Sequence, residues 1–128
     1  MKTKLRCQKG AGFTLTELMI VVGIIALLTT LAVPNFARAR DNSRLNMIYA
    51  NLRALTSAKD TWAMENNKIT GTPIADVTVL SNYFRWGSIQ DVVHETYIPN
   101  PVGTPSQAIL PPGTALGPYG PGGAIPAP

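Results

Sequence analysis

Apolar residues are concentrated near the beginning of the sequence. From Leu18 to Ala37, twenty consecutive residues carry no charge. At about 1.5 Å of rise per residue, a helix of this length spans about 30 Å, which is the thickness of the hydrocarbon core of a bilayer. The pattern therefore predicts a membrane-spanning helix over residues 13–37.

Beyond Pro34 the apolar positions change from a continuous run to a stripe on one side of a helix. They recur at steps of three and four residues: Leu45, Ile48, Leu52, Leu55, Ala58 and Trp62. The charged residues occupy much of the rest: Arg38, Arg40, Asp41, Arg44, Arg53, Lys59 and Asp60. This spacing predicts an amphipathic helix over 38–66 that packs on a small domain, with Trp62 and Met64 in its core. A coiled-coil dimer is the alternative, although only about two and a half heptads are present.

Residues 67–110 are expected to form a small globular head. The helix should end near Asn66-Asn67, and a break at Gly71-Thr72-Pro73 leads to a short second helix, from about Pro73 to Phe84. Apolar and polar residues alternate from Asp91 to Ile98, which predicts a strand. A proline-rich loop then leads to a return strand over Ser106 to Leu110, which completes a β-hairpin.

The last segment, 111–128, has the composition of a flexible tail. Eleven of its eighteen residues are glycine or proline, and such a composition does not bury apolar surface or hold a strand ladder well. We expect its removal to leave the stability nearly unchanged. The fold class is then α+β, with a long N-terminal helix packed on a head that contains a short helix and a hairpin.

The positive charge of the chain lies in its first residues. Lys2, Lys4, Arg6 and Lys9 precede the apolar run without any acid, and they account for the whole formal charge of +4. A basic segment before a single apolar span favours a cytoplasmic N-terminus, with the bulk of the chain outside. Since the rest of the sequence has no stripe of Lys and Arg, we expect no nucleic-acid partner.

The sequence contains little that points to catalysis or metal binding. Cys7 is the only cysteine, so no intrachain disulfide can form, and His94 is the only histidine, expected at the surface of the predicted strand. The acids Asp76, Asp91 and Glu95 are too scattered to indicate a metal centre. We expect no enzyme activity, no cofactor and no metal.

A secretory signal is the first alternative for the basic and apolar segments, because Ala37-Arg38-Ala39 fits a signal cleavage site. However, Leu18 to Val33 alone exceeds the usual apolar length of about 7–15 residues, and Pro34 leads into further helix-like sequence. Glu17 also lies at the edge of the apolar run, where an ionised side chain is costly unless something pairs with it.

The residues around Glu17 resemble the class III signal of type IV prepilins and type II secretion pseudopilins. The matching run is Gly10-Ala11-Gly12-Phe13-Thr14-Leu15-Thr16-Glu17-Leu18-Met19-Ile20-Val21-Val22. In that family a short basic leader ends in Gly, the mature chain begins with an N-methylated Phe, and its fifth residue is Glu. Gly12, Phe13 and Glu17 match these positions, and Pro34 matches the family's helix-bending proline.

The resemblance implies a leader over 1–12, which a prepilin peptidase removes between Gly12 and Phe13, and methylation of the new Phe13 amine by the same enzyme class. It implies a pilin-like fold and a structural subunit of a type IV pilus-like or pseudopilus-like filament. The expected partners are copies of the chain, other pilin-like subunits, an inner-membrane assembly platform and, before assembly, membrane lipid. The alternatives are a single-pass membrane-anchored adaptor that does not polymerise, and a secreted domain released after Ala39.

Within this resemblance, Glu17 is expected to pair with the Phe13 ammonium of its own or of a neighbouring subunit, which would fix the axial register. The alternative is that Glu17 caps the start of the helix, where a negative charge suits the helix dipole. Gly23 and Pro34 bracket a section of weaker helix propensity, where a bend could occur. Alternatively, these two residues are simply common in membrane helices.

The head has a looser resemblance to small pseudopilin-like proteins, carried by the segment 56–68. Major pseudopilins of type II secretion have an acidic calcium site in their C-terminal loop. In this sequence no charged residue follows Glu95, so that site is expected to be absent. Many type IV pilins close a loop with a disulfide, for which the mature chain has no cysteine. The resemblance therefore favours a pseudopilin with a minimal head.

Overall fold

The computed structural model describes residues 12–85 and 87–128. Helix α1 spans Leu15–Glu65 and a 3₁₀ helix spans Val77–Tyr83, followed by strands β1 (Thr96–Ile98), β2 (Gln107–Ile109) and β3 (Ala124–Pro126). The chain divides into two compact units, one that ends at Phe36 and one that comprises Ala37–Pro128. The predicted basic leader, with Cys7, lies outside the described residues.

The described part of the first unit is mainly the beginning of α1, and every side chain in it is exposed. This helix is long and apolar enough to cross a membrane, in agreement with the predicted spanning segment. It continues without interruption through Gly23 and Pro34, and the bend expected there remains a prediction. Thr29 Oγ1 donates to the carbonyl oxygen of Ile25 at 2.8 Å, so its hydroxyl needs no partner outside the helix.

In the second unit, the predicted stripe on α1 is confirmed as one side of the core. Ile48, Leu52 and Leu55 are fully buried, and the head of the same chain covers them, as expected for an amphipathic helix. The prediction that Met64 lies in the core is wrong, since its side chain is 80% exposed. Met64 follows Trp62 by two residues and therefore lies about 200° around the helix from it.

The end of α1 is also confirmed. The helix ends at Glu65, and Asn67 adopts a left-handed conformation with φ 51°. The N–H of Lys68 then donates to the carbonyl oxygen of Ala63 at 2.8 Å, which satisfies one of the last helical acceptors.

Two groups of buried side chains hold the head on α1. The first consists of Ile48, Leu52, Ala108, Leu110, Leu116 and Ile125. The second consists of Leu55, Ala58 and Leu80. Burial of each large aliphatic side chain contributes about 1.5–3 kcal/mol to folding.

The predicted second helix exists but is shorter than expected and of the 3₁₀ type. Asp76 caps it by accepting from the N–H of Val77 at 2.6 Å. The helix does not begin near Pro73 because the preceding residues are held elsewhere: Gly71 N donates to Val102 O, and Val102 N donates to Thr72 O, at 2.8 and 3.0 Å. This pairing fixes the chain just before Pro73.

Strand β1 is likewise shorter than the strand predicted from Asp91. The carboxylate of Glu95 is almost fully buried and accepts from the N–H groups of Val92 and Val93, at 3.0 and 2.7 Å. This folds the chain into a turn, in which His94 has φ 63°. His94 is exposed as predicted, but it lies in the turn and not on a strand, with Nδ1 2.8 Å from Asp91 Oδ2.

The predicted hairpin is confirmed, with β1 and β2 antiparallel and Thr96 opposite Ile109. The expectation of a flexible tail is wrong, because the tail supplies β3, which pairs with β2. Ile125 and Leu116 are buried in the core. Pro126 lies in an edge strand, where its missing N–H is tolerated.

The glycines of the tail make this packing geometrically feasible. Gly113, Gly117 and Gly122 have positive φ angles, which glycine adopts without steric cost and which form tight turns. The turns bring Tyr119 back to α1, where its hydroxyl lies 3.0 Å from that of Tyr49. The composition that suggested disorder therefore supports a folded loop.

Lys59 is a further correction, because it was predicted on the polar side of α1. Its side chain is only 1% exposed. Lys59 follows Leu55 by four residues and so lies on the same face of the helix. Its ammonium contacts the loop between β1 and β2.

We predict that Ile125→Ala destabilises the head by about 2–5 kcal/mol, because it leaves a cavity in the core. The melting midpoint should fall by roughly 10 °C or more for a unit of this size. Near-ultraviolet circular dichroism of the full chain in detergent micelles measures this transition. The control is Ala124→Ser, on the exposed face of the same strand, which should melt like the parent. Equal midpoints for all three proteins would show that the tail is not packed.

Candidate assembly site at the start of the helix

Residues 12–14 precede the first turn of α1 and have no regular secondary structure. The predicted site residues Gly12, Phe13 and Glu17 therefore lie within six residues of one another, at the point where the apolar helix begins. The side chain of Phe13 is 82% exposed. An exposed segment without regular structure is accessible to an enzyme, whereas a helical segment would first have to unwind.

Thr14 and Glu17 form a reciprocal cap on the helix. The N–H and the hydroxyl of Thr14 both donate to Glu17 Oε2, at 2.8 and 2.9 Å. In return, the N–H of Glu17 donates to Thr14 Oγ1 at 3.2 Å. This is the capping box, in which two side chains satisfy donors that the helix leaves unpaired.

Thr14 was not singled out from the sequence, although the spacing Thr-x-x-Glu at positions 14–17 is a known signal for such a cap. Within the single chain, the contacts of Glu17 are therefore those expected if it caps the helix. The hydrogen bonds recorded for the described residues use Oε2 of this carboxylate and leave Oε1 without a donor. A carboxylate bound in this way can still accept from an ammonium group.

Beyond this cap, α1 carries no charge from Leu18 to Ala37, and its surface there is mainly apolar on every side. Ile20, Ile24 and Leu31 are between 54% and 64% exposed, as are most of their neighbours. No element of the described chain covers the 18-residue window of highest hydropathy. Such a surface is far larger than the isolated apolar patches of soluble monomers, so it requires lipid or other protein chains around it.

The acids and the histidine of the described residues do not come together as a metal site. Across residues 12–85 and 87–128, no three His, Cys, Asp or Glu side chains come close enough to hold a metal ion. Glu95, one of the three acids that were expected to be scattered, accepts hydrogen bonds from backbone N–H groups of its own loop.

Comparison with known proteins gives one family motif, the prokaryotic N-terminal methylation motif, which matches residues 7–33. This match includes the Gly12-Phe13 junction, Glu17 and the apolar part of α1. No solved structure matches the chain significantly.

Curated relatives match about half of the chain. The type IV major pilin protein PilA of Myxococcus xanthus is 40% identical over 60 residues, which are 47% of this chain and 27% of that protein. A type II secretion system core protein G of Klebsiella michiganensis is 34% identical over 68 residues, 53% of this chain and 48% of that protein. The type IV wide pilus major component PilA4 of Thermus thermophilus is 32% identical over 72 residues, 56% and 55% of the two chains. The chain thus spans between a quarter and about half of the length of these relatives.

We predict that Thr14→Val frays the first turn of α1, since it removes the two hydrogen bonds of the Thr14 hydroxyl and leaves that of its N–H. A weakened cap costs about 1 kcal/mol, so the amides of Glu17 and Leu18, which donate to Thr14, should exchange with deuterium about five-fold faster. Exchange would be measured on the full chain in micelles. The matched control is Thr16→Val, two residues further along the chain and outside the cap. Identical exchange in the two variants would contradict the capping role of Thr14.

Proposed function

We propose that the chain belongs to the type IV pilin-like family and is a structural subunit of a type IV pilus-like or pseudopilus-like filament. It is held in the membrane by the apolar part of α1 before assembly. In the filament, the same apolar surface packs against the corresponding helices of other subunits. The motif over residues 7–33 and the three relatives support this proposal.

The observation that carries the proposal is the apolar surface of α1, which has no partner within the described chain. A bilayer and a bundle of similar helices are the two surroundings that keep such a surface from water. A filament subunit meets both in turn. A soluble enzyme or binding domain has no use for a helix that is exposed and apolar on every side.

Glu17 provides the specificity that apolar packing lacks. Van der Waals contact between uniformly apolar helices varies little when one helix slides along another. A buried carboxylate is costly unless an ammonium group lies within hydrogen-bond distance. The free Oε1 of Glu17 can accept from the Phe13 amine of a neighbouring subunit while Oε2 keeps the cap. The pairing therefore selects one axial register.

The motif over residues 7–33 supports the remaining steps of this proposal. A prepilin peptidase acting on the cytoplasmic side cleaves after Gly12 and methylates Phe13, and an inner-membrane assembly platform transfers the subunit from lipid into the filament. The N-terminus lies in the cytoplasm and the head lies outside. An adaptor that stays in the membrane would not need a charge that fixes register, which favours the filament over this alternative.

The first prediction of this proposal concerns processing. Mass spectrometry of the protein purified from the membrane fraction should find a mature chain that begins at N-methylated Phe13. The leader should be lost without loss of the apolar helix, so the product stays in the membrane fraction. A soluble product that begins at Arg40, directly after Ala39, would contradict the proposal and support a secreted domain.

The second prediction separates the two roles of Glu17. In Glu17→Gln the side-chain oxygen can still accept from Thr14, so the cap survives while the negative charge is lost. Removal of one partner of a buried charge pair costs about 3–5 kcal/mol. Filament yield should therefore fall ten-fold or more, measured by shearing filaments from cells and quantifying the subunit.

Thr14→Val is the matched control, because it removes two of the three hydrogen bonds of the cap and keeps the charge. It should leave filament yield within roughly two-fold of the parent, since a cap contributes only about 1 kcal/mol. If Glu17→Gln assembles as well as the parent, the charge does not set the register. If both variants lose filaments equally, the cap and not the charge is what assembly requires.

A further inference from the structure

The loop between β1 and β2 is short of hydrogen-bond donors. Residues 99–105 include Pro99, Pro101 and Pro105, none of which has a backbone N–H. The segment thus presents seven carbonyl oxygens but only four N–H groups. Pro99 and Val102 are buried, whereas most of the other residues of the loop are exposed. Since buried carbonyl groups need partners, the inner side of this loop needs donors from outside its own backbone.

Some of these carbonyl oxygens accept hydrogen bonds from other groups of the loop or from the preceding chain. Thr104 N donates to Pro101 O at 3.0 Å, and Gly71 N donates to Val102 O at 2.8 Å. Asn100 Nδ2 donates to Pro105 O at 2.7 Å. The carbonyl of Thr104 and part of the capacity of Pro99 remain for another donor.

Lys59 supplies that donor from the buried face of α1. Its Nζ lies 2.9 Å from Pro99 O, and it also donates to Thr104 O. A third contact, at 3.3 Å, reaches Ser106 Oγ. The hydroxyl of Ser106 itself donates to Pro99 O at 2.9 Å, so only its lone pairs face the ammonium. Three protons of Lys59 thus meet three oxygen atoms, with Pro101 O more distant at 3.5 Å.

The charge of Lys59 is balanced by dipoles and not by a buried acid. Among the described residues, the ion pair that the structure records joins His94 and Asp91. Desolvation lowers the pKa of the Lys59 ammonium, and the adjacent carboxylate of Asp60, which is exposed, opposes this shift. A buried ammonium that is surrounded by carbonyl oxygens resembles a cation held in a ring of oxygen ligands.

We propose that the oxygen atoms of Pro99, Thr104 and Ser106 form a cation site, which the ammonium group of Lys59 fills in the native chain. The site takes a primary ammonium ion because three acceptors converge on a group that has three protons to donate. The order of the loop then depends on a cation that is covalently attached to α1. The fold of the head consequently does not depend on which free cations the surrounding medium contains.

The test is chemical rescue of Lys59→Ala in the full chain in detergent micelles. This substitution removes the propylammonium part of the side chain. It takes away the donor to Thr104 O and leaves the buried Pro99 O with Ser106 alone. The melting midpoint of the head should fall by roughly 10 °C or more. Added n-propylammonium chloride should restore at least half of the loss, whereas the parent should respond neither to this salt nor to a chelator.

Two controls establish that the site recognises an ammonium group. Tetramethylammonium has the same charge but no N–H donor, so it should not rescue Lys59→Ala. Lys59→Met keeps an unbranched aliphatic side chain in the cavity, so it should be destabilised and should not respond to n-propylammonium. Equal rescue by the two ammonium salts, or a Lys59→Met variant as stable as the parent, would overturn the proposal.

A measurement on the parent chain covers the case in which Lys59→Ala does not fold. In ¹H–¹⁵N correlation spectra, the Lys59 ammonium should show protons that exchange slowly with water, because the oxygen ring holds them. Lys68 is the matched control, since its side chain is exposed. Exchange of the Lys59 protons as fast as those of Lys68 would contradict a filled site.

Discussion

The central constraint on this chain is a helical surface that is apolar on every side and has no partner among its own described residues. Water is an unfavourable surrounding for that surface, and a bilayer or a bundle of like helices is a favourable one. Because uniformly apolar surfaces slide on one another at little cost, the exposed segment also needs a polar feature to fix its position. Glu17 is an acid at the edge of that surface, with one oxygen bound to Thr14 and the other without a donor among the described residues.

The cap and the proposed charge pair are therefore complementary. The cap holds the carboxylate in one rotamer, so less side-chain entropy is lost when an ammonium group binds to it. Thr14 orients Glu17 without neutralising it. A capped carboxylate is in this sense prepared for a partner that the single chain lacks.

The head illustrates a different constraint. In a small unit with short strands, the backbone N–H and C=O groups of the loops need hydrogen-bond partners. Its strands have three residues each, so much of its backbone lies outside regular ladders. Buried polar side chains take over that work: Glu95 accepts from the turn before β1, and Lys59 donates to the loop after it. The tail completes the core of the head with Leu116 and Ile125. Ile125 lies in β3, which pairs with β2 on the side away from β1.

The sequence predicted those parts of the structure in which local spacing decides burial. The stripe from Ile48 to Ala58 follows directly from helical periodicity, and the cap could have been found from the spacing of Thr14 and Glu17. Lys59 was misplaced because its charge was given more weight than its position on the helix, four residues after Leu55. The tail depends on partners distant in sequence, and glycine content does not reveal such partners. Glu95 bonds to residues only two or three positions away, but the alternation from Asp91 suggested a strand and so concealed the turn that its carboxylate holds.

The most direct test of the account is a cryo-electron microscopy reconstruction of filaments assembled from the mature chain, at a resolution that shows side chains. The account predicts that the Phe13 nitrogen of one subunit lies within about 3–4 Å of the Glu17 carboxylate of a neighbouring subunit, in an otherwise apolar bundle of helices. Filaments in which Glu17 contacts only its own Thr14, with each neighbouring Phe13 amine too far away for a hydrogen bond, would contradict it.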